Sequence, residues 1–393
     1  HPITPQSFRE LPNHQLAQRN WFNHGLVHAP TQHPAHWIRQ PGNARFTTLA
    51  AGTVWNCGIT PEGAGFCRGA SDSTLITGVE PTGATSPEPI PGAPRFAALA
   101  VGSFHACGLD AAGSALCWGS GSAGRLGNGD TRNSAVPVAV AGGHTYKALA
   151  LGHDHSCALT QAGAAYCWGE NDAGQLGTGD ALPRSRPVPV VGGPFVQLAA
   201  GYRYTCGIKA DGVVQCWWFN DYGQLGTGDT KRRLLPTAVV TGVPFTRLTT
   251  GAAHACALTA AGQVHCWGNN YFGQLGDGTR TDRSLPVRVD FATPLTSLVS
   301  RGGHTCGLAG GGAAFCWGWG EAGQLGTGDR RSAERPVAVT GAVRFSSLAV
   351  GALHACGLAS DGQAYCWGDN TYGQIGDLSR SERTSPVPVK TFR

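Results

Sequence analysis

The sequence predicts an all-β fold, a seven-bladed β-propeller with four short strands and one hairpin disulfide in each blade, preceded by an N-terminal extension. Fourteen cysteines form seven pairs with a fixed internal spacing, and the pairs recur about every fifty residues. Within each copy, alternating apolar and polar residues are separated by glycine turns, as in short strands. Seven such units favour a closed ring, because radial repetition leaves only short, protected sheet edges.

The chain divides into an extension at residues 1–45 and a propeller at residues 46–393. The predicted blades are about 46–95, 96–145, 146–194, 195–244, 245–294, 295–344 and 345–393. In each copy the second and third strands form a hairpin, and its turn carries a glycine that suits a positive φ. These turn glycines include Gly113, Gly163, Gly212, Gly262 and Gly362.

Hairpin geometry explains why the two cysteines of a pair are ten residues apart. Residues equidistant from the turn face each other across two antiparallel strands, and opposed Cβ atoms about 4.5–5.5 Å apart can carry a disulfide. Buried free thiols and metal ligands are the alternatives, but no Cys-x-x-Cys motif is present. The predicted bridges are Cys57–Cys67, Cys107–Cys117, Cys157–Cys167, Cys206–Cys216, Cys256–Cys266, Cys306–Cys316 and Cys356–Cys366.

The paired cysteines indicate an oxidising compartment, and we expect a secreted, extracellular protein. The chain begins at His1 and contains no methionine, as in a mature protein whose signal peptide has been removed. No apolar run is long enough to cross a bilayer. The net charge of +5 is small and forms no basic block. We therefore predict neither membrane insertion nor nucleic-acid binding.

Three recurring side chains are candidates for a functional ring. Histidines two residues before the first cysteine of a pair suit metal or anion binding around a channel, but a residue repeated in every blade more often satisfies a local hydrogen bond. Aspartates that end Gly-x-Gly-Asp loops suit an Asx turn better than calcium, since each loop offers one carboxylate. Tryptophans after the second cysteine are expected in the blade cores. The three sets are His105, His155, His254, His304 and His354 (Trp55 and Tyr204 in the other blades); Asp130, Asp180, Asp229 and Asp329; and Trp118, Trp168, Trp217, Trp267, Trp317 and Trp367.

Five motifs recur together: His-x-Cys-x-Leu, the glycine turn, Cys-Trp-Gly, Gly-Gln-Leu-Gly and Pro-x-x-Val. They resemble the repeats of the regulator-of-chromosome-condensation family of seven-bladed propellers, over residues 46–393. The first copy departs from this pattern, since Arg68 replaces its tryptophan and residues 71–91 lack the loop motif. Whether a terminal strand completes blade 7 is left open. The loop motif or a close variant begins at Gly124, Gly174, Gly223, Gly273, Gly323 and Gly373.

The resemblance implies several functions, and the fold alone does not choose between them. The family's eukaryotic chromatin protein is a nucleotide-exchange factor for a small GTPase and uses a wedge protruding from one blade, whereas blades 2–7 here contain no such insertion. Similar bacterial secreted propellers include a β-lactamase inhibitor, in which a propeller face is the binding surface. No Gly-x-Ser-x-Gly, His-Glu-x-x-His or Walker motif is present. We expect no enzymatic activity, no cofactor and no metal site.

Residues 1–45 lie outside the repeats and are rich in apolar anchors, which disordered tails generally lack. We expect them either to wrap their own propeller or to dock on a neighbouring copy, there by adding a strand to an edge or by threading the central channel. Docking on a neighbour is a heterologous contact, which builds an open filament unless the rotation closes a ring. The predicted interface residues are Ile3, Phe8, Leu11, Leu16, Trp21, Phe22, Leu26, Val27, Trp37 and Ile38.

The leading functional hypothesis is a non-enzymatic extracellular structural protein that self-assembles into fibres through its N-terminal extension. Its main partner is then another copy of the same chain. The alternative is a secreted protein-binding or inhibitor module that holds a foreign protein on a propeller face, with the extension folded on its own blades.

Overall fold

The repeats fold into seven antiparallel sheets of four strands each. The computed structural model describes residues 41–43, 45–69, 83–172 and 174–392. Within each sheet the strands follow chain order, so every blade is formed by one continuous segment of four strands. The predicted seven-bladed all-β propeller is confirmed. No helix among the described residues has the length and apolarity needed to cross a membrane.

The strand bounds are regular from blade to blade. Blade 1 contains β2 (Thr48–Ala51), β3 (Trp55–Ile59), β4 (Gly65–Gly69) and β5 (Ala84–Pro89). Blade 2 contains β6 (Ala98–Val101), β7 (His105–Leu109), β8 (Ala115–Gly119) and β9 (Ser134–Ala139), with a 3-10 turn at Ser122–Gly124. Blade 3 contains β10 (Ala148–Leu151), β11 (His155–Leu159), β12 (Ala165–Gly169) and β13 (Arg184–Pro189). Blade 4 contains β14 (Gln197–Ala200), β15 (Tyr204–Ile208), β16 (Val214–Trp218) and β17 (Arg233–Ala238).

The remaining blades keep the same order. Blade 5 contains β18 (Arg247–Thr250), β19 (His254–Leu258), β20 (Val264–Gly268) and β21 (Arg283–Arg288). Blade 6 contains β22 (Leu295–Arg301), β23 (His304–Ala309), β24 (Ala314–Gly318) and β25 (Ala333–Ala338). Blade 7 contains β26 (Phe345–Val350), β27 (His354–Ala359), β28 (Ala364–Gly368) and β29 (Arg383–Pro388).

The segment before blade 1 pairs with the segment after blade 7, outside the blades. Strand β1 (Pro41–Asn43) pairs antiparallel with β30 (Lys390–Phe392), while the four strands of blade 7 are consecutive, so no N-terminal strand completes that blade. Phe46 packs in the core of blade 7, and its amide donates to the Gly362 carbonyl at 2.8 Å. The first apolar residue of every blade covers the core of the preceding blade in this way, and Phe46 closes the ring.

All seven predicted disulfides are formed, and no described cysteine is free. In blade 2, Cys107 lies directly opposite Cys117 in the hairpin register, with a Cα–Cα distance of 4.0 Å. The other pairs have separations of 4.0 or 4.1 Å, which suits the closely spaced sites of an antiparallel ladder. The hairpin turn requires glycine, as predicted. Gly113 has a φ of 82°, and a Cβ atom at this position would lie 2.8 Å from the Tyr146 carbonyl oxygen.

Strand direction defines two faces. Because neighbouring strands run antiparallel, the links from first to second and from third to fourth strand share one face, which we call the loop face. The hairpin turns and the links between blades lie on the opposite side, the turn face. Strand β30 continues from the end of β29, so the paired chain ends belong to the turn face.

The recurring histidines fasten neighbouring blades, in agreement with the prediction of local hydrogen bonds. Four buried imidazoles place Nε2 against a polar side chain of the next blade. The pairs are His105–Ser156 at 2.6 Å, and His155–Thr205, His254–Thr305 and His354–Asn56 at 2.8 Å. His304 is the exception, because the next blade has Ala355 where the other blades have the polar partner of the histidine. Neither nitrogen of this buried ring has a hydrogen-bond partner among the described residues.

The loop motif supplies a second link between blades. All six predicted core tryptophans are fully buried, and the Nε1–H of Trp168 donates to the backbone carbonyl of Arg125 at 2.9 Å. Three further indoles donate to loop carbonyls in the same way: Trp217 to Gln175, Trp267 to Gln224 and Trp367 to Gln324. Where blade 1 meets blade 7, the Arg68 Nε–H donates to the Gln374 carbonyl at 2.9 Å. Arg68 therefore fills the position of the missing tryptophan.

The Gly-x-Gly-Asp loops are confirmed as Asx turns. In each, the aspartate Oδ1 accepts the backbone N–H of the residue two positions further on. The donors are Arg132 to Asp130 at 3.0 Å, and Leu182 to Asp180, Lys231 to Asp229 and Arg331 to Asp329, each at 3.1 Å. These carboxylates serve the loop backbone.

Candidate binding surface on the loop face

Departures from the repeat cluster on the loop face of blades 2–4. The link between the first two strands is small in blades 5 and 6, where it consists of alanine or glycine pairs. In blades 2–4 the same link carries aromatic or charged side chains. The substituted positions are Phe104, His153, Asp154, Tyr202 and Arg203, joined by Arg125 in the blade-2 loop motif and Trp218 after the blade-4 core tryptophan. A site built on a repeat scaffold is expected to differ from the repeat in this way.

Asp154 is the centre of a shielded charge network. Its Oδ1 lies 2.9 Å from Arg125 Nη2, and its Oδ2 is hydrogen-bonded to His153 Nδ1. Burial opposes ionisation of Asp154, but the His153 hydrogen bond and the Arg125 charge outweigh it, so the pKa of this carboxyl stays well below its usual range. Burial also lowers the pKa of His153. A neutral His153 therefore donates its Nδ1–H to an ionised Asp154.

Aromatic rings pack on this network. His153 meets Phe104 edge to face, with ring centroids 4.8 Å apart, and its ring lies 3.9 Å from that of Tyr202. The Arg125 guanidinium carbon lies 5.6 Å from the centroid of Phe104, a cation–π distance. The ion pair thus fixes the orientation of rings contributed by three consecutive blades.

Glu170 extends the network with a carboxyl that titrates near neutral pH. It is half-buried, and burial together with the charges of Asp154 and Asp172 raises its pKa to about 7, although Arg203 opposes the shift. The protonated form can donate a hydrogen bond to Asp154, whereas the ionised form repels it.

Replacing Glu170 with glutamine should stabilise the protein at alkaline pH. The folded-state pKa lies above the ordinary value of 4.5, so ionisation of Glu170 costs stability as pH rises from about 4.5 to 7. After allowance for solvent screening we expect E170Q to gain roughly 1 kcal/mol at pH 8 and nearly nothing at pH 5. Chemical unfolding at both pH values measures the difference. The exposed Glu321→Gln, in the corresponding loop of blade 6, serves as control, and an equal gain in both variants would contradict the assignment.

Blade 4 carries a strained tryptophan. Trp218 has φ 92°, at the position that glycine occupies in the other six blades. A left-handed backbone at a non-glycine residue costs about 1–3 kcal/mol and is found preferentially at functional sites. Trp218 is buried and packs on Phe219, with centroids 5.5 Å apart, and the Arg232 guanidinium carbon lies 5.2 Å from the Phe219 centroid. The strain therefore supports a cluster of large side chains at this edge of the loop face.

Half-exposed aromatic rings continue around the loop face. Phe272 stacks on Trp319 with centroids 4.8 Å apart and an interplanar angle of 13°. We call the whole set the aromatic belt. It comprises Phe104, Tyr202, Phe219, Tyr222, Tyr271, Phe272, Trp319 and Tyr372. Tyrosine, tryptophan and phenylalanine are enriched at protein interfaces, and tyrosine and tryptophan are prominent among the residues that dominate binding energy.

Sequence reasoning placed the interface elsewhere. The ten predicted interface residues of the extension lie outside the described residues, so that prediction stands untested. The loop-face cluster was missed because the copies were compared as whole motifs; a position-by-position comparison would have marked Arg125, the His153-Asp154 pair and Trp218 as outliers. Within the described ranges, no group of three or more histidine, cysteine or acidic side chains is arranged to hold a metal.

The fold and its loop motif define a repeat propeller with one glycine-rich loop in most blades. A family model described as the RCC1-like domain matches residues 23–345, and two models of the regulator of chromosome condensation (RCC1) repeat match residues 345–374 and 361–393. The chain therefore belongs to the RCC1-like family. The resemblance recognised in the sequence is confirmed.

Solved structures share this fold at low sequence identity. Human WBSCR16 is 21% identical, with a TM-score of 0.72 over 79% of this chain and 85% of that one. Prp20p from Saccharomyces cerevisiae is 23% identical, with a TM-score of 0.75 over 85% of this chain and 87% of that one. Yeast RCC1 (Prp20) bound to Kap60 is 21% identical, with a TM-score of 0.74 over 94% and 91%. No curated protein matches the sequence.

Proposed function

We propose that this protein is a non-enzymatic extracellular binding propeller that holds a protein partner on its aromatic belt, and that the part of the extension up to residue 40 in a neighbouring copy is this partner. The observation that carries the proposal is the concentration of aromatic and charged departures on one face of an otherwise uniform repeat. The seven disulfides support an extracellular setting. Protein binding is also what the family suggests, since Prp20p has binding properties to Gsp1p and histones.

The belt has the composition of an interface and the rigidity to serve as one. Seven of its eight rings pack on another aromatic ring, so little side-chain entropy is lost when a partner binds. The extension carries complementary chemistry: its apolar and aromatic anchors fit an aromatic surface, and residues 1–40 contain three arginines and a single glutamate. Asp172 is an exposed carboxylate beside Glu170 on this face, whereas the charge of Asp154 is already paired with Arg125.

Chain direction is compatible with docking between copies. The extension enters the propeller through β1 on the turn face, whereas the aromatic belt lies on the loop face. An extension that reaches the loop face of the next copy stacks propellers turn face to loop face, a head-to-tail contact that propagates as a filament.

Two other docking modes are less favourable. Each outermost strand has proline at its fourth position, which removes a ladder donor and protects a sheet edge from strand addition. These prolines are Pro87, Pro137, Pro187, Pro236, Pro286, Pro336 and Pro386. The channel is crossed by Arg301, whose Nη1 lies 2.8 Å from the Val101 carbonyl. Surface packing on the belt therefore suits the extension better than either strand addition or threading.

Removing residues 1–40 should abolish self-association. The cut keeps Pro41–Asn43 because β1 pairs with β30. Full-length protein is expected to form oligomers or fibres, measured by light scattering and negative-stain microscopy, and the truncated chain should remain monomeric. A peptide of residues 1–40 added to the truncated chain should bind it in a fluorescence titration.

The belt is tested with matched surface variants. Tyr222→Ser combined with Tyr271→Ser should weaken peptide binding at least about thirtyfold, since one interface aromatic contributes about 2 kcal/mol. Val213→Ser combined with Val240→Ser removes exposed apolar groups (39% and 58% exposed) outside the belt and should leave binding unchanged.

Monomers with and without the extension would contradict self-assembly and favour the alternative, a binding or inhibitor module for a foreign protein. Peptide binding that ignores the belt variant would contradict the assigned face.

A further inference from the structure

Arg301 is a single-residue departure at the loop-face end of the central channel. The first strand of each blade lines the channel and is followed, in six blades, by a glycine. These glycines are Gly52, Gly102, Gly152, Gly201, Gly251 and Gly351. In blade 6 the corresponding position is Arg301, the last residue of β22. The blade fold does not require an arginine at this position, because the other six blades form with glycine there.

The guanidinium of Arg301 spans the channel. Its Nη1 donates to the Val101 carbonyl in blade 2 at 2.8 Å and approaches the Ala51 carbonyl in blade 1 at 3.5 Å. Both acceptors belong to blades across the ring from blade 6. The two contacts use one nitrogen, and within the described chain neither Nε nor Nη2 has an acceptor.

No carboxylate among the described residues balances this charge. Arg301 makes no ion pair within that part of the chain, although eleven ion pairs between arginine and a carboxylate occur elsewhere in the propeller. Desolvation lowers its pKa to about 10, so the group is still charged at neutral pH. Arg301 is partly buried, so its unpaired charge is available to an anion that enters the loop-face end of the channel.

Hydroxyl groups lie on the same rim as the Arg301 contacts. Thr53 and Ser103 each follow, by two residues, one of the carbonyls that Arg301 reaches, and the Thr53 hydroxyl lies 2.8 Å from Ser103 Oγ. Hydroxyls and a guanidinium are the donors that recognise oxyanions. The free edge of the guanidinium has no matching acceptor in the described structure.

From this geometry we infer that the loop-face end of the channel is a binding site for a small oxyanion, a carboxylate or phosphate, held by the free edge of Arg301. The site does not depend on the proposed assembly, because it uses none of the aromatic belt. A free anion and the C-terminal carboxylate of a peptide are two sources of the same chemistry.

The inference is tested by isothermal titration calorimetry of the full chain at low ionic strength, with sodium phosphate and sodium acetate as probes. We expect saturable binding of one anion per chain and a dissociation constant at least about tenfold weaker for Arg301→Gln, a loss of about 1.4 kcal/mol. The matched control is Arg344→Gln, which removes one exposed charge from the turn face and should bind as the unsubstituted protein does. Arg301→Gly introduces the residue that the other six blades have at this position, and it should weaken binding as Arg301→Gln does.

Peptides distinguish the source of the anion. A trialanine peptide with a free C-terminus should bind and its amidated form should not if the natural ligand is a peptide carboxylate; phosphate binding without peptide binding assigns a free oxyanion. Absence of saturable binding for every probe overturns the site. Equal weakening in Arg301→Gln and Arg344→Gln also overturns it, because that result describes general charge screening.

Discussion

Replacing Arg68 with tryptophan should raise the free energy of unfolding by about 1–4 kcal/mol, as when a buried charged group is exchanged for a well-packed apolar one. Arg68 is 2% exposed, and desolvation lowers its pKa to about 9 without any compensating carboxylate among the described residues. Its Nε–H donates to the Gln374 carbonyl at 2.9 Å, the bond that Trp168 makes to Arg125 at the same distance. An indole keeps this bond and removes the buried charge.

The reverse exchange provides the matched control. Trp168→Arg should lower the free energy of unfolding by about 3–5 kcal/mol, because it buries an uncompensated cation and loses the packing of a large aromatic ring. Guanidinium unfolding at pH 7 with the disulfides intact measures both variants. A loss of stability in Arg68→Trp would show that the junction of blades 1 and 7 is too narrow for an indole.

Acidification should unfold the propeller well above the pH at which most carboxylates are protonated. Burial lowers the pKa of His155 to about 4 and those of His254, His304 and His354 to about 3, and it holds the pKa of His105 well below its ordinary value. Nearby Arg68 and Arg301 add to the shift of His354. In the unfolded chain these rings titrate near 6.5.

The protein loses stability as pH falls because unfolding takes up protons. Between pH 6.5 and about 4 the unfolded chain binds protons that the folded rings exclude, so the stability is complete above pH 6.5 and is lost as pH falls through this window. Each ring contributes up to about 1.4 kcal/mol per pH unit, and five rings acting together exceed the stability of a typical domain within roughly two units.

Chemical unfolding across this pH range tests the prediction, and His304→Phe isolates one ring. Since neither nitrogen of His304 has a partner among the described residues, phenylalanine removes a titrating group without breaking a hydrogen bond. We expect the slope of stability against pH to fall by about one proton, or about 1.4 kcal/mol per pH unit. A stability that stays constant between pH 6.5 and 4.5 would contradict the role of the buried histidines.

The loop-face cluster could be predicted only in part from the sequence. Substitution of Arg125, Asp154 and Trp218 for the repeated residues is visible once the copies are aligned. The contact between them cannot be read from the alignment, because Arg125 belongs to the blade-2 loop and Asp154 to a turn of blade 3. Only the packing of neighbouring blades places Arg125 Nη2 2.9 Å from Asp154 Oδ1. The pKa shift of Glu170 likewise depends on how deeply one loop is covered by its neighbours.

The blade could be predicted from local sequence: a constant cysteine spacing on a glycine hairpin defines the register, the disulfide and the core tryptophan, because these depend on interactions within about fifty residues. Closure of the ring could not be predicted in this way. Phe46 and Arg68 join blade 1 to blade 7 across some three hundred residues, and Arg301 reaches carbonyls two hundred or more residues away. Such contacts depend on the angle between neighbouring blades. Many small packing interactions determine this angle together, so no local sequence pattern predicts it.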